Sequence, residues 1–155
     1  MKTLICKDLA ALRTHIGKQL PVGEWVTVTQ QMINAFASAT HDFQWIHVDV
    51  EKAKKYSPFK APVAHGFLSV SLLSKMLGDV VTVNSATMGV NYGLNKVRFP
   101  NPVIVSSKVR LLSKIVGMDD YGENGAKITW DCTIAIEGAE KPACVAEFVS
   151  LMFES

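Results

Sequence analysis

The chain has 155 residues, of which 48% are hydrophobic and 19% charged, a composition typical of an ordinary globular protein. Its length fits one domain spanning residues 1–155. Sixteen basic and fourteen acidic residues leave a formal charge of +2, which excludes the strongly basic surface expected of a nucleic-acid-binding protein. No apolar run approaches the roughly 20 residues of a membrane-spanning helix, so we expect neither a nucleic-acid partner nor a membrane span.

The three cysteines, Cys6, Cys132 and Cys144, are odd in number and lack the spacing of a metal or redox motif. We expect them to be buried thiols in a reducing compartment. The opening residues, MKTLICKDLAALRTHIG, interrupt their apolar positions with Lys7 and Asp8, so they lack the uniform apolar core of a secretory signal. The sequence therefore predicts a cytoplasmic protein, and it contains no motif that indicates a metal site.

The first half of the chain is predicted to be mostly helical. Apolar residues at helical spacing predict an opening helix that Gly17 ends: Leu4 or Ile5, Leu9, Leu12 and Ile16. Residues 24–28 indicate a short strand, after which Thr29 is placed to cap a second helix. Asp49 is placed to cap a further short helix, directly after the segment HDFQWIH at residues 41–47.

The segment HGFLSVSLLSKMLG, residues 65–78, predicts a buried helix that Gly78 ends, because its apolar residues cover nearly the whole circumference. Beyond it the pattern changes to period two. The alternation is clearest in KITWDCTIAIE, residues 127–137, and residues 103–116 and 143–153 predict further strands.

Helices followed by hairpin-linked strands imply an α+β domain with an antiparallel sheet. A helix that is apolar all round needs a sheet curved about it. We therefore predict a hot-dog fold, in which a long central helix is wrapped by a strongly bent antiparallel sheet.

HDFQWIH contains the sharpest pair of candidate catalytic residues. A carboxylate and an imidazole at Asp42 and His47 can together orient a water molecule, accept its proton and return a proton to a substrate. The alternative interpretation is structural, since an aspartate after a helix often bonds its own loop and a single histidine is usually just a satisfied polar residue. The spacing alone leaves both interpretations open.

His65 and Gly66 stand where the predicted buried helix begins. The first amides of a helix have no intrahelical partner and favour negative charge, so the N–H of Gly66 is a candidate to polarise a substrate carbonyl. The alternative is a tight turn in which His65 caps the helix or packs against it. Ser74 lies on the same helix, where a serine more often bonds the carbonyl four residues earlier than it contacts a substrate.

Asn91 and Asn95 lie in VNYGLNKVRFP, a strand-like stretch that is rich in hydrogen-bonding side chains. They are candidates for the wall of a polar pocket. The alternative is a bent strand in which Gly89 and Gly93 mark bulges.

Two segments, FASATHDFQWIHVDVEKA and APVAHGFLSVSLLSKMLG, resemble the MaoC-like dehydratases and (R)-specific enoyl-CoA hydratases, most closely their nodulation-N-like branch. The family pattern is an aromatic residue, then Gly-Asp-x-Asn-Pro-Leu/Ile-His and a later alanine. The chain matches it at Phe36, Asp42, Ile46, His47 and Ala53. Gln44 and Trp45 stand in place of the asparagine and the proline, a pair that is expected of the nodulation-N-like branch. His41 stands in place of the glycine and departs from the pattern of that branch as well.

The resemblance implies (R)-specific, reversible hydration of a trans-2-enoyl-CoA to a 3-hydroxyacyl-CoA in fatty-acid or acyl-thioester metabolism. Asp42 and His47 would hold the water, and the N–H of Gly66 would bind the thioester oxygen. Supporting or substrate-binding roles fall to His65, Ser74, Asn91 and Asn95. The resemblance also implies a homodimer, coenzyme A or acyl carrier protein as the substrate carrier, and no metal or organic cofactor. Two alternatives stay open: an acyl-CoA thioesterase on the same fold, and a non-catalytic module that binds acyl thioesters or lipids.

Overall fold

The computed structural model describes residues 2–155, in which short helices and strands precede a run of long strands. The first elements are β1 (Leu4–Cys6), α1 (Leu9–Arg13), β2 (Val26–Thr27), α2 (Gln30–Thr40), α3 (Trp45–Val48) and α4 (Val50–Tyr56). They are followed by α5 (Gly66–Ser71), α6 (Leu73–Val80) and β3 (Val81–Val83). The long strands are β4 (Ala86–Arg98), β5 (Lys108–Tyr121), β6 (Gly125–Ile136) and β7 (Cys144–Glu154).

The long strands form a curled antiparallel sheet around a central helix. Among the described residues the sheet has five strands in the order β2-β5-β6-β7-β4, and β1 pairs separately with β3 in parallel. Shifts of register in the β4–β7 and β5–β6 ladders mark irregularities of the kind that bend and twist strands. The inner face of the sheet and one face of α6 share a single hydrophobic core, which confirms the predicted hot-dog architecture.

The predicted alternation in β6 is confirmed. Five side chains at every second position face the core and are at most 8% exposed: Ile128, Trp130, Cys132, Ile134 and Ile136. Both predicted caps are also present, because the Thr29 hydroxyl accepts from the N–H of Met32 and the Asp49 carboxylate accepts from the N–H of Lys52. These caps begin α2 and α4, the helices on either side of residues 41–47.

The opening helix was predicted too long. Leu4–Cys6 is a strand paired with Val81–Val83, and the helix comprises only Leu9–Arg13. The hydrogen bonds to β3 are a long-range feature, so helical spacing of apolar residues alone does not reveal them.

The central helix also differs from its prediction, since it divides at Leu72 into α5 and α6 and continues past Gly78 to Val80. The helix is also not buried on every side, because Phe67 is 68% exposed while Leu73, Met76 and Leu77 are buried. Leu68 also belongs to the core, and Val70 and Leu72 pack against it. The prediction of a helix buried on every side is therefore wrong at Phe67, which lies outside the core of the single chain.

The strand predicted at residues 103–116 is shifted along the chain. β5 begins at Lys108 and continues to Tyr121, because its ladder with β6 extends to the pair Tyr121 and Gly125. The hairpin connection is therefore shorter than GMDDYGENGA, and most of that segment belongs to the strands themselves.

None of the helices in residues 2–155 is both long enough and apolar enough to cross a membrane.

Candidate active site

Four of the predicted site residues line one cleft of about 360 Å³: Asp42, His47, His65 and Gly66. Asp42 comes from the loop after α2, His47 from α3, and the other two from the start of α5. The remaining lining residues are Phe36, Thr40, Phe67 and Phe99. Residues far apart in the chain thus meet at one end of the central helix.

The loop that carries Asp42 begins with a left-handed residue. His41 has φ +62° and ends α2 in the conformation that glycine adopts most easily. Histidine is among the other residues that enter this region more often than most, so His41 can form this turn without a glycine. Asp42 then accepts a hydrogen bond from the N–H of Gln44 at 3.3 Å, which holds the loop in a local turn.

His47 is held in one tautomer. Its side chain is 7% exposed, and its Nδ1 lies 2.6 Å from the backbone oxygen of Val63. Because a carbonyl oxygen only accepts, Nδ1 carries the proton and donates, which leaves a free lone pair on Nε2. The Gln30 side chain donates to the His47 carbonyl at 2.8 Å and anchors the main chain of α3. The geometry therefore presents Nε2 as a proton acceptor.

The surroundings of His47 favour its neutral form. Burial lowers the pKa of His47 below its ordinary value, and the nearby His65 lowers it further. The bond to the Val63 carbonyl and the charge of Asp42 act in the opposite direction but do not reverse the pKa shift. His47 is consequently unprotonated near neutral pH, as a general base must be.

This pKa shift predicts the acid limb of the activity profile. If neutral His47 is the base, the acid limb of kcat/KM is expected to have its midpoint below pH 6.5, since the pKa lies under the ordinary value. Initial rates measured across pH in buffers of constant ionic strength would test this. A limb centred above pH 6.5 would contradict the assignment of His47 as a base with a lowered pKa.

His65 lies against both members of the pair. Its ring stacks on that of His47, with centroids 3.8 Å apart and planes 23° apart, and it is 3% exposed. Its Nε2 lies 3.0 Å from the backbone oxygen of Asp42 and 4.0 Å from the Asp42 carboxylate. Of the two structural roles considered for His65, the cap is absent, because its side chain makes no cap hydrogen bond to α5, whereas its ring does pack against neighbouring rings.

Asp42, His47 and His65 resemble a metal-ligand set by composition, and their donor atoms lie within 4.8 Å of one another. The ring geometry does not fit that use. An imidazole lone pair lies in the plane of its ring, so two rings stacked face to face do not direct their nitrogens at one ion. The arrangement suits proton transfer better than metal binding.

Gly66 is the first residue of α5, and the absence of a side chain there is required by packing. A Cβ at this position would lie 2.8 Å from Cδ2 of the Phe99 ring. Because intrahelical bonds do not use the first amides of a helix, the N–H of Gly66 stays available to a ligand. The cleft therefore contains a hydrogen-bond donor for a substrate oxygen beside the Asp42–His47 pair.

The other three predicted residues lie elsewhere. Ser74 donates to the side chain of Asn91 at 3.0 Å, joining α6 to β4, so it does not make the predicted bond to its own helix. Ser71 does make such a bond, to the carbonyl of Phe67. Ser74 and Asn91 line neighbouring cavities of about 310 and 280 Å³. Asn95 donates to Glu147 on β7 at 2.7 Å.

Sequence reasoning missed the Val63 carbonyl and the Gln30 amide, which hold His47, and the Phe99 ring, which packs against Gly66. It also assigned no site role to Thr40 or Phe67, which line the cleft. Val63 acts through its backbone, which no side-chain pattern reveals. Gln30 contacts the backbone of His47 from α2, and Phe99 lines the cleft from the position directly after β4. Only the tertiary structure brings them to the site.

The chain is similar in sequence and in fold to known proteins of one family. Residues 12–134 match the family model described as the MaoC like domain. The chain is 45% identical over 143 residues to 3-hydroxyacyl-thioester dehydratase Z of Mycobacterium tuberculosis, covering 92% of this chain and 94% of that protein. It is 41% identical over 146 residues to nodulation protein N of Rhizobium leguminosarum bv. viciae, covering 94% and 91%. The solved (R)-hydratase from A. caviae involved in PHA biosynthesis has a TM-score of 0.62 at 25% identity, covering 84% and 96%.

Proposed function

This chain belongs to the MaoC-like dehydratase family and is a hydro-lyase, and we propose that Asp42 and His47 carry its (R)-specific hydration of trans-2-enoyl thioesters. The observation that carries this assignment is the fixed tautomer of His47. The Val63 carbonyl occupies Nδ1, so the basic Nε2 is left in the cleft that Asp42 and Gly66 also line.

The mechanism begins with one water molecule between the Asp42 carboxylate and Nε2 of His47. His47 accepts a proton from the water as its oxygen adds to carbon 3 of the substrate. The imidazolium that forms is stabilised by the Asp42 charge and by the bond to the Val63 carbonyl, and it returns the proton to carbon 2. The elements of water are thereby added across the double bond, and dehydration follows the same steps in reverse.

Gly66 is assigned to the charge that develops on the substrate. As the water oxygen adds, electrons move toward the thioester oxygen, and the N–H of Gly66 at the start of α5 donates to that oxygen. The thioester itself thus serves as the electron sink. On this chemistry the reaction needs neither a metal nor an organic cofactor, and coenzyme A or an acyl carrier protein serves only as the carrier.

The acyl chain is assigned to the groove between the central helix and β4. Phe67, Ser71, Ser74 and Gly78 recur at helical spacing from the catalytic cleft through the neighbouring cavities. Eleven residues of helix correspond to roughly 16 Å. In this assignment Ser74 and Asn91 border the acyl chain, while Asn95 holds β4 against β7 and has no direct role.

The experiment that tests the function is a paired assay of crotonyl-CoA. Purified enzyme is expected to remove the ultraviolet absorbance of the enoyl thioester without releasing free thiol, and chiral analysis of the product is expected to give the (R)-alcohol. Release of thiol would instead indicate a thioesterase. An unchanged absorbance with short and long enoyl-CoA substrates, together with acyl-CoA binding, would indicate the non-catalytic binding module.

We also propose that the chain forms a homodimer through β4. This strand lies at the edge of the sheet and presents four large apolar side chains that are 39–56% exposed: Met88, Val90, Tyr92 and Leu94. A long apolar edge strand readily pairs with another strand. Two copies of β4 related by a two-fold axis would join the sheets and cover these side chains.

A matched pair of lysine substitutions tests the dimer. Val90 on β4 and Val116 on β5 are similarly exposed, at 39% and 44%, but only Val90 lies on the edge strand. Val90→Lys is expected to lower the sedimentation mass from twice the chain mass of 17.0 kDa toward that of one chain. Val116→Lys is expected to stay dimeric. Equal behaviour of the two variants would contradict pairing through β4.

A cytoplasmic location is also proposed. Cys6, Cys132 and Cys144 are buried and unbonded within the described residues, and buried free thiols are typical of proteins in reducing compartments.

A further inference from the structure

His65 connects the loop that carries Asp42 to the helix that begins with Gly66. We propose that His65 is a positioning residue, which holds the Asp42 backbone so that the carboxylate, the His47 base and the Gly66 amide face one substrate. This role rests on the proposed function of Asp42, His47 and Gly66. It concerns the alignment of those groups rather than contact with the reacting atoms.

The first support is the hydrogen bond from His65 to the loop. Its Nε2 lies 3.0 Å from the backbone oxygen of Asp42, across a separation of 23 residues. Because the carbonyl only accepts, Nε2 carries the proton and donates. The bond therefore holds the main chain of the residue whose side chain acts on the water, and it does so from another part of the fold.

The second support is the confinement of the His65 ring. It stacks on the His47 ring with centroids 3.8 Å apart, and it also packs against the Phe36 ring at 4.9 Å. Its Nδ1 is buried without a hydrogen-bond partner among residues 2–155. The bond to Asp42 is thus the polar contact that defines how the ring lies, and the packing fixes the direction in which Nε2 points.

The third support is the backbone of His65. Its carbonyl accepts from the N–H groups of Leu68 and Ser69, which starts α5. The next amide along the chain is that of Gly66. The side chain of His65 therefore ties the loop to the residue that immediately precedes the proposed oxyanion donor. A shift of this loop by about 1 Å changes the distances among all three groups, and displacements of that size cost on the order of a hundredfold in rate.

Two substitutions separate the hydrogen bond from the packing. His65→Phe keeps an aromatic ring in contact with Phe36 and His47 but removes the donor. His65→Gln removes the ring but places an amide nitrogen near the position of Nε2, where it can still donate to the Asp42 carbonyl.

With saturating crotonyl-CoA, we expect His65→Phe to lower kcat about ten- to a hundredfold with little change in KM. His65→Gln is expected to stay within about threefold of the wild type. The acid limb of kcat/KM is expected to move to higher pH in both variants, because His65 lowers the pKa of His47 while Asp42, which also faces it, raises that pKa. Retained activity in His65→Phe, or equal losses in both variants, would overturn the role.

A measurement on the folded protein keeps this test independent of turnover. Nitrogen-15 shifts of the wild-type imidazoles are expected to place the His65 proton on Nε2, and hydrogen exchange of the amides of residues 42–47 is expected to accelerate in His65→Phe but not in His65→Gln. A proton on Nδ1, or unchanged exchange in His65→Phe, would refute the positioning role even if the enzyme were active. A wild type without hydratase activity but with these signatures would refute the proposed function alone.

Discussion

Asp42→Asn and His47→Asn are each expected to lower kcat for enoyl-thioester hydration about 10²- to 10⁴-fold, the usual contribution of general acid–base catalysis. Asparagine at position 42 keeps the oxygen that accepts from the N–H of Gln44 but lacks the charge that we propose orients water and stabilises the imidazolium. Asparagine at position 47 places an amide nitrogen near the position of Nδ1, so it can still donate to the Val63 carbonyl, but it has no base at Nε2.

The same substitutions are expected to leave the fold nearly unchanged. The Asp42 side chain is 53% exposed, and the bond of residue 47 to Val63 is preserved by design. Melting temperatures are therefore expected to fall by only a few degrees, because a change of 1 kcal/mol moves the midpoint of a domain of this size by about 2–4 °C.

Asp49→Asn is the matched control for the loss of a nearby carboxylate. Asp49 caps α4 by accepting from the N–H of Lys52, and asparagine is about as good an N-cap as aspartate. Normal turnover is expected for this variant.

If Asp42→Asn retained more than about a tenth of wild-type kcat, the carboxylate would have no chemical role. If His47→Asn lost activity only in proportion to unfolded protein, the histidine would be structural.

Gly66→Ala is expected to lower kcat by about ten- to a hundredfold, because the new methyl group would lie 2.8 Å from the Phe99 ring. Either the ring or the start of α5 must then move. Both line the cleft, and the N–H of residue 66 is the proposed donor to the thioester oxygen. Steady-state kinetics with crotonyl-CoA measure the loss, and circular dichroism checks that the helix is retained.

A double-mutant cycle with Phe99→Ala distinguishes the two ways in which the substitution acts. If displacement of the Phe99 ring causes the loss, the Gly66→Ala/Phe99→Ala double variant is expected to recover the kcat of Phe99→Ala alone. If the methyl group itself keeps the substrate from the amide, the loss persists in the double variant. Gly117→Ala is the matched control, since a Cβ there would meet nothing within 4 Å. A normal kcat in Gly66→Ala would contradict the close approach of substrate to this amide.

The sequence predicted those parts of the fold that depend on short-range pattern. The alternation in β6 and the caps at Thr29 and Asp49 were predicted correctly, because each depends on residues close together in the chain. The opening helix and the limits of β5 were predicted incorrectly, since strand pairing with β3 and β6 decides them. The central helix was identified, but its division at Leu72 and its exposed face were not.

Side-chain identity determined which groups in this protein can carry chemistry: a carboxylate and an imidazole at Asp42 and His47, and a glycine amide at a helix start. Only the tertiary structure decided their relations. It placed the Val63 carbonyl on Nδ1 of His47, which selects the tautomer, and it placed His65 between His47 and the backbone of Asp42. It also showed that Ser74, Asn91 and Asn95 lie outside the cleft that contains Asp42 and His47. The physical reason is that proton transfer depends on ångström distances and on which lone pair is free, and these follow from packing between residues distant in sequence.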